Sequence, residues 1–153
     1  MTLLLDFDGV LITTPSWQPA TIAADGFIEF NPKCVTHIKR IISLGAVDTI
    51  VLTTTHRIRY STEAWQKLFA GRGIATEKLE KVNSCDSLTT MLLRRDEIAA
   101  WAEDKAPNDY IILDDDNGLQ ALPAHIKQRW VRTDSLIGLN EQKCNAALNL
   151  TFQ

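Results

Sequence analysis

"LLLDFDGVLI", residues 3 to 12, is the stretch on which the fold turns. Leu3, Leu4 and Leu5 offer no polar face, so they read as a short strand buried on both sides, the pattern of a central strand in a parallel sheet covered by helices. Asp6 and Asp8 follow at once, and Gly9 then permits a sharp turn. Anions rarely stand directly behind such a run without a task. In open parallel sheets, ligands bind in the crevice outside the C-terminal strand ends, and these two carboxylates fall there.

The same pattern recurs outward along the chain. "VDTIVLTTTH", residues 47 to 56, is β-branched and apolar and ends in threonines, "YIILDDDNG", residues 110 to 118, ends in acids, and "RWVRT", residues 129 to 133, reads as a final strand. Helical patterns lie between. Asn31-Pro32 pairs an N-cap with a proline at the first helical position, and Val35, Ile38, Ile41, Ile42 and Leu44 follow at helical spacing until Gly45. A helix is expected around Thr62 to Ala70, ending at Gly71 or Gly73, and another over Glu141 to Leu148. Ser87 to Trp101 reads as one helix or as two broken near Arg94, and Ile74 to Val82 as a loop or a short edge element. Strands alternating with helices imply an α/β fold with a central parallel sheet. Pro15, Pro19 and Gly26 make residues 11–30 an irregular excursion, a small flap or hairpin, within a single domain over residues 1–153.

Composition narrows the function classes. The 153 residues, 45% hydrophobic and 23% charged, suffice for a core without disulfide or metal staples. No stretch approaches the ~20 apolar residues of a membrane span, and no secretory signal opens the sequence, so a cytoplasmic protein is expected. Cys34, Cys85 and Cys144 are odd in number and lack a CxxC pair, which fits reduced thiols. With a net charge of −3 and scattered Lys and Arg, strong binding of duplex nucleic acid is not expected.

The strand ends collect Asp6 and Asp8, Thr53 and Thr54, and Asp114, Asp115 and Asp116. Side chains alternate along a strand, so Asp6 and Asp8 are expected on one side, with Phe7 turned into packing. Acids gathered at one point repel each other and demand a cation, and Mg²⁺ is the hard ion that prefers a few carboxylates, waters and a phosphate oxygen. With that charge neutralised, one carboxylate can attack phosphorus to form an aspartyl-phosphate, while a second protonates the leaving oxygen and later activates water.

These residues resemble a family. "DFDGVL" is similar to the first motif of the haloacid dehalogenase (HAD) superfamily, which implies Asp6 as nucleophile and Asp8 as general acid/base. "IVLTTTH" resembles the second motif, giving Thr53 the phosphoryl oxygen and Thr54 a neighbouring amide. "YIILDDDNG" resembles the fourth, whose acidic pair holds Mg²⁺ and so implicates Asp115 and Asp114 beside Asp6 and Asp8. For the basic third motif, "LLRRDEIAAW" offers Arg94, with Arg95 as runner-up. This resemblance spans about residues 2–137. More narrowly, "VLTTTHR", "RRDEIAAW", "YIILDDDNG" and "WVRTDSLIGL" resemble the small HAD domain of Swiss Army Knife RNA-repair proteins, with a departure at His56, where a tryptophan is expected in an "SSSWR"-like segment. The resemblance implies a three-layer Rossmannoid fold.

Several positions remain open on sequence alone. His56 follows the threonines and either reaches substrate or serves in packing or capping, and Trp17 either shields the site or packs. Gly9 is expected beside the bound phosphate. Asp116 and Asn117 read as turn chemistry before Gly118, and Trp65, Trp101 and Trp130 as core.

The expected function is a Mg²⁺-dependent phosphohydrolase acting on a phosphate monoester. The interval from Asp8 to Thr53 is largely used by a helix and a strand, which leaves no room for a large cap domain. An open site suits an exposed phosphate on a macromolecule, such as a nucleic-acid end, or a small substrate covered by a partner subunit in a homodimer. Two competing readings are a non-catalytic binding protein on the same scaffold and a receiver-like phosphoacceptor. A receiver would carry its acceptor aspartate on a middle strand, where this sequence has Thr53.

Overall fold

The computed structural model describes residues 1–153. Five short strands form one parallel sheet in the order β3-β2-β1-β4-β5, with β1 over Thr2–Leu5, β2 over Thr49–Leu52, β3 over Lys78–Lys81, β4 over Tyr110–Asp114 and β5 over Trp130–Arg132. The leucine run occupies the centre, as its lack of a polar face requires. Leu3 and Leu5 point into one apolar cluster with Ile50, Leu52, Ile111 and Leu113, while Leu4 points into a second with Val51 and Ile112. Period-two alternation thus feeds two cores on opposite faces of the sheet, a three-layer α/β arrangement.

The first core is closed by α1 (Pro32–Leu44), α2 (Thr62–Gly71) and α5 (Glu141–Thr151); the second by α3 (Arg94–Lys105) and the one-turn α4 (Ala124–Lys127). Asn31 caps α1 through its side chain, which accepts from the Lys33 N–H at 2.9 Å, and Pro32 occupies the first turn. Leu44, counted in the apolar stripe of that helix, is exposed. α5 runs one turn beyond the expected Leu148.

Two ambiguous segments resolve on physical grounds. Residues 78–81 form an edge strand, and its Lys78, Glu80 and Lys81 give the open edge the charged character that discourages pairing with another chain. Of the span from Ser87 to Trp101, only the part from Arg94 is helical. Ser87 and Thr89 join their hydroxyls at 2.8 Å, and Thr90 bonds the Ser87 carbonyl, local bonds that compete with a helix ladder.

The excursion over residues 11–30 is fastened to the body rather than free. Phe27 and Phe30 are buried with their rings 5.9 and 5.3 Å from Phe7. At its far end Arg72 pairs with Asp25, donates to the Phe27 and Ile28 carbonyls, and lies over the Phe30 ring. Phe7 thereby links the loop after β1 to both the excursion and α2, touching Trp65 and Phe69 as well.

Candidate functional site

Register decides which side chains meet. Leu5 stands opposite Leu52 on one side and Leu113 on the other, so the residues that follow, Thr53, Asp6 and Asp114, emerge side by side at the same sheet edge. The ladder extends one step to hold them there: Thr53 N–H donates to the Leu5 carbonyl and Asp6 N–H to the Leu113 carbonyl. Asp6, Asp114 and Asp115 form a group whose nearest carboxylate oxygens all lie within 4.8 Å of one another.

Asp6 and Asp114 are buried, and Asp115 is half-buried. Burial first, and then the neighbouring Asp114 carboxylate, drives the Asp6 pKa well above the ordinary range, against the pull of Arg94. Asp114 is raised by burial too, partly offset by Arg94 and the Asp116 N–H. Arg94 pairs with Asp114 at 2.7 Å and with Asp6 at 3.3 Å. Burial works against its charge, but the two acids outweigh that and hold it protonated. A cluster of three carboxylates, two of them paired with a single guanidinium, is short of positive charge, and its hard oxygen donors fit Mg²⁺ rather than a soft metal.

Arg94 is the first residue of α3, so the helix start delivers it to the acids. Arg95 turns outward and pairs with Asp96 on the surface, so of the two arginines only Arg94 meets the acids.

Asp8 stands apart. Strand alternation would aim it at the same spot as Asp6, but β1 ends at Leu5 and the chain turns sharply: the N–H groups of Val10, Leu11 and Ile12 all bond the Phe7 carbonyl. The Asp8 side chain, expected among the metal ligands, is 59% exposed, lies outside the three-acid group, and meets His56 Nε2 at 2.9 Å. His56 is fixed for this contact, stacked on Phe7 and edge-on to Phe27. It therefore packs and also reaches a site carboxylate.

Gly9 has φ +78°, and a Cβ there would overlap the Asp115 carboxylate. The glycine is required twice, for the left-handed turn and for the close approach of Asp115. Its carbonyl accepts from the buried Thr133 hydroxyl at 2.6 Å. Thr53 has a fully buried hydroxyl with no hydrogen-bond partner, an orphan at the sheet edge beside Asp6. Thr54 instead spends its hydroxyl on the His56 N–H, capping the 3₁₀ turn over Thr55–Arg59. Asp116 caps the 3₁₀ turn over Asn117–Ala121 by accepting from Gly118 N–H, the turn role expected of it.

Three contributors went unread in the sequence. Arg57, fully buried, donates to the Thr53 and Thr54 carbonyls and to Asn83, and pairs with buried Glu97 in α3. It ties the threonine turn to the helix that carries Arg94. Ser135 donates to Asp115 Oδ2 at 2.8 Å, and Thr133 supports Gly9. Thr133 was accessible to strand-end logic, since it directly follows β5. Arg57 was not, because nothing in a 3₁₀ turn signals a buried arginine.

A cleft of about 590 Å³ opens beside Asp115, lined by Trp17, Arg132, Ser135 and Lys143 among others. A hollow of similar size, about 640 Å³, lies between the excursion and α2, away from the three acids, and its one carboxylate, Asp25, is held by Arg72. No helix is long and apolar enough to cross a membrane.

No curated protein matches the chain. A family described as the HAD domain in Swiss Army Knife RNA repair proteins matches residues 2–144, which span β1 through the first turn of α5 and include every acid, threonine and arginine of the site. The chain belongs to that family of HAD domains.

Proposed function

We propose that this HAD domain is a Mg²⁺-dependent phosphohydrolase that cleaves phosphate monoesters through an aspartyl-phosphate on Asp6. The observation that carries this reading is the convergence of Asp6, Asp114 and Asp115 within 4.8 Å at the sheet edge where Thr53 leaves a buried hydroxyl unpaired. Asp6, Asp114 and Asp115 would hold the ion, which when bound supplies positive charge to these acids and to a phosphoryl oxygen.

An Asp6 carboxylate oxygen attacks phosphorus and the bond from phosphorus to the ester oxygen breaks, with Asp8 donating its proton to the departing alkoxide. Asp8 then removes a proton from water as the water oxygen attacks the phosphoryl group, releasing inorganic phosphate and regenerating the Asp6 carboxylate. Thr53 donates its hydroxyl to a phosphoryl oxygen, and Arg94 orients Asp6 by the contact it already makes. His56 positions Asp8.

The family's description concerns RNA repair proteins, which makes a phosphorylated nucleic-acid end the first macromolecular substrate to test. The primary experiment is hydrolysis of p-nitrophenyl phosphate in Mg²⁺ by the wild-type chain and by Asp6→Asn. Turnover by the wild type and its loss in the variant is expected; activity retained by Asp6→Asn would remove the nucleophile assignment.

A further inference from the structure

The cleft beside Asp115 has a chemistry of its own. One end is the half-buried Asp115 carboxylate, already held by Ser135. Elsewhere it carries Arg132 and Lys143, neither of which forms an ion pair anywhere in the protein. Asp134 also lines it, with its side chain accepting from the Leu136 N–H. Two unpaired cations therefore border an acidic centre, in a chain whose net charge is negative.

Trp17 completes the wall. The residue is 72% exposed, in contrast to the buried Trp65 and Trp101. The turn that displays it is closed by a bond from Gln18 N–H to the Pro15 carbonyl and is bracketed by Pro15 and Pro19, so little freedom is lost when a ligand settles on the ring. A large apolar ring held open to water on a stiff turn is a binding surface waiting for a flat partner. The cleft volume lies within the range of small-ligand sites.

We propose that this cleft is the leaving-group subsite and that it takes a nucleotide bearing a second phosphate. The base stacks on Trp17, Arg132 and Lys143 receive the second phosphate, and the scissile phosphate lies at Asp6. An uncharged or purely aliphatic leaving group would use neither the cations nor the ring. The proposal rests on the phosphohydrolase reading for its orientation, but binding in the cleft is measurable without turnover.

The test compares adenosine 3′,5′-bisphosphate with glycerol 2-phosphate in Mg²⁺, for the wild type, Trp17→Ala, and the double variant Arg132→Ala/Lys143→Ala. The ratio of kcat/KM for the bisphosphate to that for glycerol 2-phosphate should fall about tenfold in each variant, the scale of one lost base stack or charged contact. In parallel, Asp6→Asn is titrated with the bisphosphate by tryptophan fluorescence, since the exposed Trp17 is the ring that a stacked base would quench. Quenching should vanish in Asp6→Asn/Trp17→Phe and weaken about tenfold in apparent Kd when Arg132 and Lys143 are both alanine. Quenching without hydrolysis of any ester would uphold the cleft and refute the phosphohydrolase reading. Hydrolysis with an unchanged substrate ratio, or a Kd indifferent to the Arg132/Lys143 replacement, would overturn the cleft assignment.

Discussion

His56 Nε2 lies 2.9 Å from Asp8 Oδ2, a contact that joins the turn after β2 to the loop after β1 and holds an Asp8 carboxylate that stands outside the three-acid group. Phe7 and Phe27 hold the imidazole ring, so its orientation is set by the core and not by the carboxylate. A proton donor must stand within hydrogen-bond reach of the oxygen it serves, and an exposed aspartate without such a tether samples several rotamers. His56→Ala is expected to lower kcat about tenfold while leaving KM nearly unchanged, and His56→Asn to recover part of the loss. Steady-state kinetics on p-nitrophenyl phosphate decides it; an unaltered kcat in His56→Ala would reduce the contact to packing.

Asp6 makes a prediction about stability. Its pKa is raised in the folded protein, so the native state holds that proton more tightly than the unfolded chain. The stability linked to Asp6 is thus present at acid pH and lost as pH rises from the ordinary carboxylate value of 3.8 through the raised native one. Replacing the carboxylate removes this penalty. In EDTA at pH 7, Asp6→Asn should melt ~2–4 °C higher than wild type, the shift that ~1 kcal/mol produces at this chain length, and the difference should shrink toward pH 4. Calorimetry showing a lower melting temperature for the variant at pH 7 would contradict the uncompensated charge.

Mg²⁺ should relieve the same repulsion. A ligand that binds only the native state at a hundredfold excess over its Kd adds ~2.7 kcal/mol. Wild-type protein should therefore melt at a higher temperature in MgCl₂ than in EDTA, and Asp115→Asn should lose most of that rise. Equal responses in the two proteins would place the ion elsewhere.

Gly9→Ala tests the approach of Asp115. The substitution strains a left-handed residue by ~1–2 kcal/mol and drives its methyl into the carboxylate. The protein should remain folded, with Mg²⁺ affinity at least tenfold weaker by titration calorimetry. Wild-type affinity in this variant would mean that Asp115 does not bind the ion from this position.

The Arg57–Glu97 pair is buried at both ends, so removing one partner strands the other. Glu97→Ala is expected to cost ~3–5 kcal/mol by urea denaturation, whereas Arg57→Met/Glu97→Leu should cost less than that single change. Additive losses in a double-mutant cycle would show that the two residues act independently.

Much of this molecule was written locally. Leu3 to Leu5, the β-branched run before Thr53 and the apolar run before Asp114 are short-range patterns that only a doubly covered parallel sheet satisfies, and strand-end logic picked out Asp6, Thr53, Asp114 and Asp115 together. The Asn31-Pro32 start of α1 was equally local, a cap satisfied within two residues. Other features depended on partners distant in the chain. Arg94 rather than Arg95 meets the acids because α3 begins where it does, and Ser87 to Thr90 spend their bonds on a turn instead of a helix. Asp8 left the acidic centre because the strand stopped at Leu5, short of the residues over which alternation was assumed. Arg57 is charged in sequence and buried in space, a combination that becomes stable only when Glu97, forty residues on, arrives to neutralise it. Backbone pattern is set by nearest neighbours, while the environment of a charge is set by whatever the fold packs against it, and only the assembled structure supplies that.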